Sequence, residues 1–272
     1  MGSSYIGVSL ALESYPSFLL SALRLLGCIV ILAPLLIWRG AALPSRRQTI
    51  NAVMLGTLMF SGAGLVALGQ EFGVSSGLTS VAAAAVVIWA TLFVAILGQR
   101  PGKLELMGVV IGIAGVVLLN LEKGMQANPA GAFVLVLGPM AWAVGSMISN
   151  RITLPAGIIS IFLQMLGGFF ALTLISWLRG EQFPAQPTPA ASAALLYLSL
   201  VPTLLGFTAY MYLVRQVRPS LATSYGYVNP VIAVLLGVTL RGESITHVGI
   251  LAMIVIITGV VLVIFGRNRQ SA

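Results

Sequence analysis

Residues 223–237 set Tyr225, Tyr227, Asn229 and Pro230 inside an otherwise apolar run. On a helix Tyr225 and Asn229 share a face, four residues apart, while Tyr227 points elsewhere. Pro230 has no amide hydrogen and its ring collides with the carbonyl of Gly226, so the helix kinks and that carbonyl needs another partner. Two readings stand side by side. Either the polar groups bond this helix to its neighbours, or they face a cavity and contact a solute, with Gly226 and Pro230 as a hinge.

Arg24 is the one charged residue deep in an apolar segment. Burying it there costs at least about 2.5 to 3.5 kcal/mol, so it needs a partner or a wet cavity. It either snorkels and bonds to carbonyls or binds a solute carboxylate. Glu71 is its expected protein partner, and Gln164, 140 residues on, is its polar counterpart. Trp142, Ser146 and Asn150 recur at four-residue spacing and draw a polar stripe along one helix face. Trp89 reads as core. The small-residue runs Ala82–Ala85 and Gly108, Gly112, Gly115 read as sites of close helix packing.

The absent residue types narrow the chemistry further. The chain has no aspartate, a single histidine (His247) and six glutamates placed near segment ends. A two-histidine metal site and a Ser-His-Asp triad are therefore excluded, as is an intramembrane aspartyl pair. No G-x-x-x-x-G-K-[ST] phosphate loop occurs. No metal or cofactor is implied, and no mid-membrane carboxylate stands ready as a proton carrier. Cys28 is the sole cysteine, so no internal disulfide forms.

These residues are positioned by helices that cross a membrane. Of 272 residues, 58% are hydrophobic and 7% charged, far from a soluble domain. Nine segments have the length of roughly 17 to 25 residues that a bilayer requires: 15–38, 49–69, 76–98, 104–121, 129–149, 157–178, 191–214, 220–240 and 247–266. The first residues, Met1 to Leu12, read as the outer half of a truncated tenth span. Lys and Arg favour alternate loops. Arg39, Arg46, Arg47, Arg100, Lys103, Arg151, Arg215, Arg218, Arg267 and Arg269 lie on one side, with only Lys123, Arg179 and Arg241 on the other. The positive-inside rule then makes the C-terminus cytoplasmic. The same clustering explains the net charge of +8 without a nucleic-acid partner.

The halves resemble each other at an offset of 140 to 144 residues. Trp38-Arg39-Gly40 recurs as Leu178-Arg179-Gly180, and Gly115-Val116-Val117-Leu118 as Gly259-Val260-Val261-Leu262. Five spans per half, at 1–121 and 129–266, force the second copy to enter the membrane inverted, an architecture typical of secondary transporters.

Gly2-Ser3-Ser4-Tyr5, Ala141-Trp142-Ala143-Val144-Gly145-Ser146 and Leu221-Ala222-Thr223-Ser224-Tyr225 running into Tyr227-Val228-Asn229-Pro230 resemble the EamA permeases of the drug/metabolite transporter superfamily, nearest their YedA-type inner-membrane members. The resemblance covers essentially the whole chain. It implies an all-α, ten-helix fold of two inverted five-helix repeats around a central cavity that opens alternately to either side. Two positions depart from the family pattern. Met1 stands where its members carry a tryptophan, and Val87 stands opposite Pro230, where a mid-helix proline is common.

The expected function is that of a secondary transporter, an exporter of amino acids or related zwitterionic or anionic solutes. Tyr225, Asn229, Trp142, Ser146, Arg24 and Gln164 would line or shape the cavity. The partners are a small-molecule substrate and the lipid bilayer, and the chain works as a monomer or homodimer in a bacterial inner membrane. A non-transporting or defunct membrane subunit is the alternative, with a membrane-embedded enzyme behind it.

Overall fold

A computed structural model describes residues 2–40, 43–96, 102–120, 129–216, 225–242 and 246–270. Among them every regular element is helical: α1 (Ser4–Ala11), α2 (Ser17–Trp38), α3 (Arg46–Glu71), α4 (Ser76–Ala84), α5 (Val86–Ile96), α6 (Lys103–Asn120), α7 (Pro129–Ser149) and α8 (Ile158–Leu178). After these come α9 (Pro189–Leu198), a π-helical stretch (Ser199–Gly206), α10 (Phe207–Gln216), α11 (Tyr225–Arg241) and α12 (His247–Gln270). Among the described residues, five helices are long and apolar enough to cross a membrane: α2, α3, α7, α8 and the composite Pro189–Leu213. A helix satisfies its own backbone, which lipid demands. The outer surface is apolar to match, with Trp38, Phe170 and Leu205 well exposed.

Contacts between helices rest on missing side chains. α3 is packed between α7 and α8. Where α3 meets α7, a Cβ on either Gly62 or Gly138 would stand 2.7 Å from the other residue's carbonyl oxygen. Where it meets α8, Gly56 lies against the Gln164 backbone and Gly167 against that of Val53. α6 and α12 form a third close pair. Gly108, Gly112 and Gly115 face it as expected, and a Cβ on Gly259 would fall 2.5 Å from the Gly112 nitrogen. The alanine run behaves likewise, with Ala82, Ala84 and Ala85 buried. Trp89 packs against a core cluster to which α4, α5, α6, α7 and α12 all contribute, and stacks on Phe93.

Helix ends and breaks follow local chemistry. Arg39 and Arg179 close α2 and α8 in the same way. Each is followed by a glycine of positive φ, Gly40 at 59° and Gly180 at 69°, a conformation that disfavours a Cβ. The likeness of Trp38-Arg39-Gly40 to Leu178-Arg179-Gly180 is thus a shared helix stop. The segment expected at 76–98 is interrupted at Ala85, whose amide turns back to the Ala82 carbonyl at 3.1 Å. No proline is needed for this break.

The segment expected at 191–214 is interrupted too, by the π-helical stretch around Pro202. Pro202 cannot donate to the carbonyl four residues back, that of Leu198. The Thr203 hydroxyl donates to it instead, at 2.7 Å. This is the compensation expected at Pro230, seen at another proline. α11 itself runs through Pro230, and the detail of Tyr225, Gly226 and Pro230 lies outside the described residues.

Candidate functional site

A cavity of about 170 Å³ lies at the middle of the bundle. Its walls come from helical faces with regular spacing. α3 contributes Ala63, Val66, Ala67 and Gln70, and α2 contributes Ser21, Arg24 and Leu25, which are i, i+3, i+4 patterns on single faces. α1 adds Ser4 and Tyr5, the π-helical stretch Pro202 and Thr203, and α11 Asn229. Gln70 and Phe60 both border the cavity and are ten residues apart on α3, so it extends about 15 Å along that helix.

An aromatic group closes the end towards Arg46. Phe60, Trp142 and Phe207 border the cavity. Their ring centroids are 6.4 Å apart for Phe60 and Trp142, 4.9 Å for Phe60 and Phe207 and 6.0 Å for Trp142 and Phe207. Tyr210 stands behind them, 5.9 Å from Trp142, and its hydroxyl is 3.0 Å from that of Ser146.

Arg24 is the only charged residue among the described lining. Its Nε and Nη2 donate to Thr203 Oγ1 at 3.3 and 3.0 Å. That hydroxyl is held in place by its own donation to Leu198, so the proline that breaks the helix also fixes the acceptor for the cation. Glu71 is not the partner expected of it. The Glu71 carboxylate instead accepts from the Ser17 amide at 2.7 Å and pairs with Arg179 at 3.1 Å. α2 begins at Ser17, and its unsatisfied amides and positive dipole end attract carboxylates. Glu181 joins them, accepting from the Leu19 amide at 2.8 Å and lying 3.5 Å from Arg179. Arg179 also lies 5.2 Å above the Phe18 ring. This clasp of α2, α3 and α8 closes the opposite end of the bundle.

The candidate residues divide by depth. Arg24, Trp142 and Asn229 border the cavity, and Asn229 is 7% exposed. Ser146 does not. It sits one turn beyond Trp142, behind the aromatic group, and its hydroxyl serves the Trp142 carbonyl and Tyr210. Gln164 is also away from the lining, fully buried beside Gly56 with its amide nitrogen donating to the Ser160 carbonyl at 3.1 Å. The offset of 140 residues in the sequence pairs Gln164 with Arg24, but the close α3 and α8 packing leaves no space there. The Tyr225 side chain lies outside the described residues.

Sequence reasoning passed over Gln70, Thr203, Phe60 and Phe207. Only Gln70 and Thr203 carried a signal, a polar side chain in an apolar run beside Glu71 and beside Pro202. Phenylalanines in such a chain look like any lipid-facing residue.

The EamA-like transporter family matches residues 1–121 and 129–265. The inner membrane transporter YedA of Escherichia coli K12 is 38% identical over 267 residues, covering 98% of this chain and 87% of its own. A Streptantibioticus cattleyicolor protein named "Probable terminal-alkyne amino-acid exporter" is 24% identical over 280 residues, covering 99% of this chain and 92% of its own. One crystal structure, 18% identical, covers 96% of this chain and 94% of the other with a TM-score of 0.64, a shared fold. With apolar helices around a largely apolar cavity that holds one guanidinium, these likenesses agree: the chain belongs to the EamA-like transporter family and is an integral inner-membrane transporter.

Proposed function

We propose that the protein is a secondary transporter that exports small metabolites, amino acids or related zwitterionic or anionic solutes, by alternating access. The observation that carries this reading is the placement of one guanidinium in a small cavity at mid-bundle, walled by helices from both halves of the chain. Arg24 attracts a carboxylate, Trp142 and Asn229 pack and hydrogen-bond the rest of the solute, and Tyr225 joins them from the start of α11. Ser146 and Gln164 act from behind, the first by fixing Tyr210 against Trp142. Gly226 and Pro230 are the hinge of α11. The amino-acid exporter among the relatives is in keeping with this solute class.

In this reading ten spans form two inverted repeats, 1–121 and 129–266, and the loop charges place the C-terminus in the cytoplasm. The Glu71 clasp is then periplasmic and the aromatic group faces the cytoplasm. The unit is a monomer or homodimer. The test is efflux from proteoliposomes loaded with a metabolite mixture and read by mass spectrometry, alongside Asn229→Ala. Selective loss of one solute class, reduced about tenfold or more in the variant, is the expected result. Efflux of no solute by the intact protein would refute the reading.

A further inference from the structure

Among the polar groups that line the cavity, which include Asn229 and Trp142, two poles of different kinds frame the solute. One is Arg24, a permanent cation with no carboxylate among the described lining residues to balance it. The other is Gln70, 8% exposed, with both its amide nitrogen and its amide oxygen buried and without a hydrogen-bond partner. A buried amide left unpaired on both atoms is rare in a folded protein and calls for an occupant.

The clasp fixes how far apart the poles are. The 2.7 Å bond from the Ser17 amide to Glu71 sets the start of α2 level with the end of α3. Gln70 is one residue from that level and Arg24 seven. Their backbones are therefore about 9 Å apart along the bundle, at about 1.5 Å per residue. Both side chains are long enough to reach towards one another across a cavity of about 170 Å³. An occupant that meets both is small, with only a few bonds between its two polar groups.

Charge and hydrogen bonding then specify those groups. A single negative charge neutralises the guanidinium, and Arg presents forked donors that suit a carboxylate. A free ammonium would share the space with Arg24 and find no anion among the described lining residues. At the other pole, Gln70 needs one acceptor for its NH₂ and one donor for its oxygen. An amide supplies both.

We propose that the cavity is built for a small monocarboxylate bearing a neutral amide, an N-acylated amino acid or a carbamoyl acid, with its carboxylate on Arg24 and its amide on Gln70. Gln70 distinguishes this class from plain carboxylates and from free amino acids. The inference rests on the transporter reading and narrows its solute.

The test is ligand-induced thermal stabilisation of the full chain in detergent with four probes. These are N-acetylglycine, its apolar isostere 4-methylpentanoate, glycine, and the uncharged N-acetylglycinamide. N-acetylglycine is expected to bind at least about tenfold more tightly than each of the others, the factor supplied by one ordinary hydrogen bond. Gln70→Leu should bring N-acetylglycine to the affinity of 4-methylpentanoate without changing the latter, and Gln70→Met serves if the leucine variant does not fold. Arg24→Met should abolish binding of both carboxylates. Glycine binding as tightly as N-acetylglycine, or undiminished discrimination in the Gln70 variant, would overturn the proposal. So would the binding of none of the four by a protein that still moves other solutes in proteoliposomes, and the transporter reading would then stand without it. Absence of any transported solute would instead remove that reading.

Discussion

Thr203→Val is the sharpest probe of how the helix break and the cation are joined. Valine keeps the shape of threonine and removes one oxygen. That oxygen donates to the Leu198 carbonyl at 2.7 Å and accepts from Arg24 at 3.0 and 3.3 Å. Leu198 is fully buried and Thr203 is 5% exposed, and after the change the Leu198 carbonyl keeps only the Thr203 amide, five residues on in the π-helical register. Losing a buried hydrogen bond costs about 0.5–1.5 kcal/mol, and one to a charged group about 1.5–3 kcal/mol. The bond from Arg24 is charge-assisted, but the guanidinium borders the cavity and water there can replace much of it. The expected loss is about 2–3 kcal/mol. For a chain of this size each kcal/mol shifts the melting point by about 2 °C, which gives about 5 °C. Thr203→Ser keeps the oxygen and loses a methyl group, about 0.8 kcal/mol. Cys28 supplies the assay. It is the sole cysteine, fully buried, with its thiol against the Ser199 carbonyl at 3.1 Å, so a thiol-reactive fluorophore labels it only on unfolding. Equal melting of the valine and serine variants would refute the account of Thr203 as the shared anchor.

Two further perturbations test the surrounding frame. Glu181→Gln should destabilise the protein more than Glu71→Gln, because the Glu181 side chain is 6% exposed against 30% for Glu71 and both hold the start of α2. The Glu71 change is expected at about 0.3–1 kcal/mol in the same thiol-labelling melt, and equal effects would contradict the assignment. Gly259→Ala should reduce folded yield in fluorescence-detected size exclusion, since its Cβ would lie 2.5 Å from the Gly112 nitrogen and overpacking costs typically about 1–3 kcal/mol. Gly180→Ala has open space around it, so any loss there comes from its φ of 69° alone.

The helices were legible in the sequence because lipid imposes one rule along a whole segment. A run of some twenty apolar residues has few other solutions, and α2, α3, α7 and α8 follow their expected bounds within a few residues. Breaks were harder to see. Pro202 carries the same chemical signal as Pro230, yet only its neighbour Thr203 and its place opposite Arg24 turn it into part of the site. Ala85 interrupts its segment with no signal at all.

The site residues separate along the same line. Arg24 was conspicuous because a charge in an apolar run is costly wherever it points. Gln164 looked equivalent by symmetry, but the direction in which a side chain faces is set by packing partners far away in sequence. Gly56 on α3 draws the α8 backbone so close that Gln164 is enclosed between helices. Gln70 shows the converse. Its neighbour Glu71 is drawn to the amides of α2 and the charge of Arg179. That clasp fixes the end of α3 and, with it, the rotation that sets Gln70 against the cavity. A glutamine one residue away along the helix would lie about 100° around it, and Gln70 reaches the cavity because Glu71 does not.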